Sequence, residues 1–219
     1  MDRIYLIAGL GADTRVYNNI SLTGDCELIR VDWVEPDLND TLTAYAQRLI
    51  FQYNIKPGSV LIGNSLGGVI AVEMAKFMPV KKVILISSIK TSDEAPWYFK
   101  LFRTLPVYKL IPGKVFNLMA VFIKPVFGHM SAEDAWLFGD MLRKSSLVFI
   151  KWAMYAILHW KNSVVPPNLY HITGDKDLVF DYKRIKGATI VKGGTHIMIF
   201  DKAEEINKIL KGILENEAS

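Results

Sequence analysis

Six short runs rich in aliphatic and β-branched residues recur along the chain, at 3–8, 27–33, 59–64, 82–87, 168–173 and 188–191. The first two, 3–8 and 27–33, suit buried strands of a parallel sheet, and the other four read as strands as well. The stretches between them are patterned for helix. After Asp40, a good N-cap, apolar residues at Leu42, Tyr45, Ala46, Leu49, Ile50 and Tyr53 share one helical face, which ends near Pro57-Gly58. Leu66 to Met78 is apolar nearly all round apart from Glu73 and Lys76, the mark of a buried helix. A last helix opens at Asp201, whose side chain caps it with Glu204 at the third position, and carries the stripe Ile206, Ile209, Leu210, Ile213, Leu214. Strands alternating with helices imply an α/β fold: a six-stranded parallel sheet with helices on both faces.

The alternation breaks once. From Lys90 to Lys161 there is no β-like run, only helical stretches separated by Pro106, Pro112-Gly113, Pro125 and Gly128 and rich in Trp, Phe, Tyr and Met. An all-helical insertion after the fourth strand lies at the carboxyl edge of the sheet, where open α/β sheets bind ligands, and predicts a lid. The 219 residues suit one domain, 1–219, with 90–165 as this helical cap. The insertion also holds the charge imbalance, ten basic residues against five acidic. Such a surface attracts an anionic substrate or an acidic membrane face, but a solvated face that keeps the protein soluble is the favoured reading over peripheral membrane contact. Cys26 is alone, which excludes an intrachain disulfide. No apolar stretch reaches the roughly 18 to 20 residues of a membrane span, and Ile4 to Leu10 lacks the length and basic flank of a signal peptide. The expectation is a cytoplasmic protein with no nucleic-acid partner.

Chemistry concentrates at Gly63-Asn64-Ser65-Leu66-Gly67-Gly68, between the third strand and the buried helix. A nucleophile on so sharp a turn takes a strained backbone, which crowds the positions two before and two after it unless they are small, and Gly63 and Gly67 meet that demand. Gly68 lets the helix approach its neighbours. Leu66 heads the helix, so its N–H is aimed where an oxyanion would form. Serine needs a base, and the base an acid. His129 and His159 fall in the insertion, and His171 falls inside a predicted strand as a core or surface residue with its bonds met. His196, in Gly193-Gly194-Thr195-His196 after the sixth strand, reaches the same crevice as Ser65. Gly174-Asp175-Lys176-Asp177 leaves the fifth strand at that edge; Asp177 is favoured as the acid, because Asp175 sits nearer the turn and bonds local backbone. The loop Gly9-Leu10-Gly11 after the first strand supplies a second oxyanion donor, the N–H of Leu10.

With these motifs the chain resembles the α/β-hydrolase fold superfamily over nearly its full length. The resemblance rests on the elbow at Ser65, the acid loop Gly174 to Asp177, the Gly194-Thr195-His196 loop and the oxyanion loop at Gly9-Leu10-Gly11. It implies a triad of Ser65, Asp177 and His196 and a trimmed sheet, since the chain begins at what looks like the family's third strand. Members often carry His where this chain has Ala8. Asn64 stands where many have His, as in relatives that hydrolyse carbon-carbon bonds. The reading is a serine hydrolase acting, without metal or cofactor, on a small-molecule carboxylic ester with a hydrophobic acyl or aryl group. Trp97, Tyr98, Phe99, Phe102, Phe116, Phe122, Trp136, Trp152, Tyr155 and Trp160 are the rings of the lid, most of them packing the lid itself. A thioesterase, a carbon-carbon hydrolase or lyase with the same triad, and a non-catalytic ligand-binding protein are the alternatives.

Overall fold

The computed structural model describes residues 2–22, 24, 26–37, 39–110 and 130–215; His129, Phe116 and Phe122 lie outside them. Six strands form one sheet: β1 (Asp2–Ile7), β2 (Cys26–Val31), β3 (Val60–Asn64), β4 (Lys82–Ile86), β5 (Leu169–Gly174) and β6 (Thr189–Val191). Their order is β2-β1-β3-β4-β5-β6 and every pairing is parallel. The chain therefore winds outward in both directions from between β1 and β3, and all strand carboxyl ends lie at one edge, as expected of doubly wound sheets.

The period-two pleat splits the core into two layers. Tyr5, Ile7, Leu61, Val83 and Leu85 face α1 (Leu42–Gln52), α2 (Leu66–Met74), α3 (Tyr98–Thr104) and α5 (Leu147–His159). Ile4, Leu6, Val60, Ile62, Ile84 and Ile86 face α6 (Met198–Asp201), α7 (Ala203–Glu215) and the 3-10 turn Thr14–Tyr17. Between β4 and β5 the described residues contain no strand, only α3, α4 (Ala132–Lys144), α5 and short 3-10 turns. No helix among the described residues is long and apolar enough to cross a membrane.

Several local expectations are corrected. β2 is not a buried strand: it pairs with β1 alone, at the sheet edge, and Leu28 is 46% exposed. Thr41, not Asp40, caps α1, accepting from Ala44 N at 3.1 Å. Asp40 instead accepts from Asp37 N and Arg48, so the stronger charge pulls it off the helix end. α2 stops at Met74, four residues early. Asp201 closes the short α6 rather than capping α7, because the backbone leaves the helical region at Lys202, with φ −120° and ψ 24°, and α7 begins only at Ala203.

Two buried ionic side chains tie the layers together. Lys82 is 1% exposed at the start of β4 and its Nζ donates to Ile213 O at 2.5 Å, placing a cation on the C-terminal carbonyls of α7. Glu73 of α2 is fully buried and accepts from Trp160 Nε1 at 2.7 Å, Thr43 Oγ1 at 2.8 Å and Lys76 Nζ at 2.5 Å. A carboxylate so deep is tolerable only with its oxygens saturated. Here saturation ties α1, α2 and the residues that follow α5 to one point.

Candidate active site

Ser65 is the one residue between β3 and α2, with φ 51° and ψ −117°. That is positive-φ backbone in a non-glycine residue, a costly state that persists only where neighbours enforce it. The enforcement is visible in the flanking glycines. A Cβ on Gly63 would sit 2.3 Å from Gly67 O, and one on Gly67 would sit 2.2 Å from Ile7 O. Backbone meets backbone on both sides, so no side chain fits. Gly68 packs on Ser88, whose Oγ donates to Ser65 O at 2.7 Å, while Ser65 N donates to Ile86 O at 2.9 Å. The nucleophile candidate is thus held by both of its backbone polar groups.

Ser65 Oγ lies 3.0 Å from His196 Nε2. His196 Nδ1 lies 2.9 Å from Asp177 Oδ2, and Asp177 Oδ1 accepts from Val179 N at 2.8 Å and Phe180 N at 2.9 Å. Asp177 is therefore acceptor at both oxygens, which leaves the proton of a neutral His196 on Nδ1 and the lone pair of Nε2 facing Ser65. Both His196 and Asp177 are buried, and Phe180 packs edge-on against the imidazole at 5.4 Å. Asp175 points elsewhere: its Oδ1 accepts from Gly193 N at 2.6 Å. With Lys176 N donating to Gly194 O at 2.9 Å, this stitches the loop after β5 to the loop after β6. The two loops touch so closely that a Cβ on Gly174 would lie 2.0 Å from Gly194 O.

The loop after β1 closes the other side. A Cβ on Gly9 would be 3.2 Å from Ser65 Cβ, and Gly11 takes φ 73°. Leu10 and Leu66 both line the cavity that holds Ser65 and His196. Leu66 is the first residue of α2, so its N–H has no carbonyl within the helix to meet. Trp33 Nε1 donates to Ala12 O at 3.0 Å and Gly9 O at 3.3 Å, and Tyr17 OH donates to Ile7 O at 2.7 Å. Burial pushes the Tyr17 phenol far above its ordinary range. These braces carry no motif, and only the fold brings them to the site. Asn64 Nδ2 donates to Ile86 O at 3.2 Å, which commits that side chain to the elbow.

The cavity measures about 360 Å³ and its wall is apolar almost throughout, with contributions from α3, α5 and Phe180. Tyr98 also lines it, with its OH donating to Val179 O at 2.5 Å; burial first and the Asp177 charge second push this phenol up to about 12. Trp152 and Trp160 face away, Trp152 Nε1 donating to Asp40 O at 2.8 Å and Trp160 to Glu73. Of the remaining histidines, exposed His159 bonds Tyr155 O at 2.8 Å. His171 is buried on β5, donating from Nε2 to Ser88 O at 3.0 Å, while its Nδ1 has no partner. The expectation of a His with its bonds met is half fulfilled.

The chain belongs to the alpha/beta hydrolase family, whose model matches residues 4–209. Among curated proteins nothing matches it. Solved structures share its fold at low identity. A hydrolase from Pseudomonas aeruginosa is 14% identical with a TM-score of 0.78, covering 99% of this chain and 91% of that one. A bromoperoxidase from Bacillus anthracis is 15% identical with a TM-score of 0.76, covering 98% and 92%. An esterase from Exiguobacterium antarcticum is 15% identical with a TM-score of 0.75, covering 99% and 92%.

Proposed function

We propose that the protein is a serine hydrolase that cleaves a carboxylic ester with a hydrophobic acyl or aryl group. The observation that carries this reading is the line Ser65 Oγ, His196, Asp177, with successive separations of 3.0 and 2.9 Å, at the wall of an apolar cavity. His196 Nε2 takes the Ser65 proton as Oγ attacks the ester carbonyl. The N–H groups of Leu10 and Leu66 receive the oxyanion, and Asp177 stabilises the imidazolium. Collapse breaks the bond to the alkoxy oxygen, which leaves with the proton from Nε2. Water then enters and gives its proton to the same nitrogen as its oxygen attacks the acyl carbon; collapse breaks the bond to Ser65 Oγ, which takes that proton back from Nε2 as the carboxylic acid leaves. The helices between β4 and β5 act as the cap that shuts bulk water from this sequence of steps.

The test is labelling with a fluorophosphonate probe, which phosphonylates an activated serine. Wild type is expected to label, Ser65→Ala not at all, and His196→Ala only weakly. Absence of label on wild type, or equal label on Ser65→Ala, refutes the reading. A series of p-nitrophenyl esters of increasing chain length then reads the cavity: turnover is expected to rise from acetate to medium chains.

A further inference from the structure

The outer face of α3 exposes what a globular protein ordinarily buries. Trp97, Leu101 and Leu105 follow one another at four-residue spacing, so they stack along one side of the helix, and they are 73, 46 and 57% exposed. Phe102 and Val107 are exposed as well, and both also line the cavity that contains Ser65. The mouth of that cavity therefore opens on this apolar face.

The charge of the face is one-sided. Lys100 and Arg103 of α3 are exposed and have no ion-pair partner among the described residues. From Trp97 through Tyr108 the chain holds these two bases and not one Asp or Glu. Bases interleaved with Trp, Leu and Phe on an exposed helix suit the boundary of an anionic bilayer, where the rings and aliphatic chains enter the acyl region and the cations stay among the headgroups. A second copy of this chain would set base against base. A folded acidic partner seated here would cover the mouth and exclude substrate, whereas a fluid lipid surface covers the mouth and supplies it.

We propose that this face of α3 docks on an anionic lipid surface and that the Ser65 cavity takes its ester from the lipid phase, its apolar chain entering between Phe102 and Val107. The docking surface stands by itself; the identification of the substrate as a lipid ester rests on the serine hydrolase reading above. The two are separable by experiment. Ser65→Ala protein is floated with phosphatidylcholine vesicles and with phosphatidylcholine–phosphatidylglycerol vesicles, so that binding is read without turnover. Binding is expected to the mixed vesicles alone and to weaken with added salt.

In the same background, Lys100→Gln/Arg103→Gln is expected to lose about 30-fold in affinity, since each base near an anionic surface contributes roughly a fivefold factor. Trp97→Ser/Leu101→Ser/Leu105→Ser is expected to abolish flotation. With Ser65 intact, both sets should hydrolyse a water-soluble short ester at the wild-type rate, because none of these side chains lines the cavity. Failure to float with the mixed vesicles, or flotation unchanged by both sets of substitutions, overturns the docking proposal and leaves fluorophosphonate labelling untouched. Flotation of the Ser65→Ala protein together with absence of label on the wild type overturns the hydrolase reading alone.

Discussion

Acid sensitivity of the fold should trace to His171. Its side chain lies on β5 with 2% exposure, and burial, reinforced by the Lys90 charge, pushes its pKa down from 6.5 to about 3; the Ser88 carbonyl and Asp177 oppose this and are outweighed. The native protein thus keeps the imidazole neutral over a range where the unfolded chain protonates it. Stability is whole above pH 6.5 and is lost as pH falls toward 3, at a slope of about 1.4 kcal/mol per pH unit. Between about pH 7.5 and 4.5 the loss from this residue is about 3 kcal/mol, a large share of the stability of a small domain. Urea unfolding of wild type and His171→Gln at both pH values isolates it, because Gln keeps an N–H for Ser88 O and has nothing to titrate. The wild type is expected to lose about 3 kcal/mol more than the variant. Equal losses in the two proteins would show that His171 already carries its proton in the native state and would refute the reasoning.

Asp177→Asn should lower turnover by about 10³ to 10⁴-fold, because the amide oxygen stays on Val179 N and Phe180 N and its NH₂ then meets His196 Nδ1, forcing the imidazole proton onto Nε2 where it faces Ser65. Asp175→Asn, which touches only the loop contact to Gly193, should cost far less, and steady-state kinetics on one ester ranks them. Ser88→Ala removes the hydroxyl that holds Ser65 O; it should lower kcat by about tenfold with KM nearly unchanged, the size of one net hydrogen bond. An effect on KM alone would assign Ser88 a different part.

The strands were legible because each is a compact run of aliphatic residues, and the helix over Leu66 to Met74 because it is apolar on every side. The misreadings share one cause, competition decided by distant partners. Leu28, Ile29 and Val31 compose β2 like an interior strand, and its place at the edge follows from strand order, which no local pattern encodes. Asp40 reads as the cap of its helix, but Arg48 claims the aspartate and Thr41 takes the capping place. At the site, Ser65, Asp177 and His196 announced themselves through glycine-flanked loops after strands. Trp33, Tyr17 and Ser88, which brace that geometry, could not: each stands in a segment that carries no signal of its own and bonds a carbonyl many residues away.

The contacts of Gly67 on Ile7 O and of Gly174 on Gly194 O set the span between serine and histidine by main chain resting on main chain. Such a joint contains nothing that can adopt another rotamer, so substitutions that reshuffle the aliphatic layers have no path by which to lengthen it. On the proposed serine hydrolase reading, the walls of the cavity are free to drift in shape and taste while Ser65 and His196 keep their separation, and a new substrate can be reached by altering α3 or α5 without re-tuning what lies beneath.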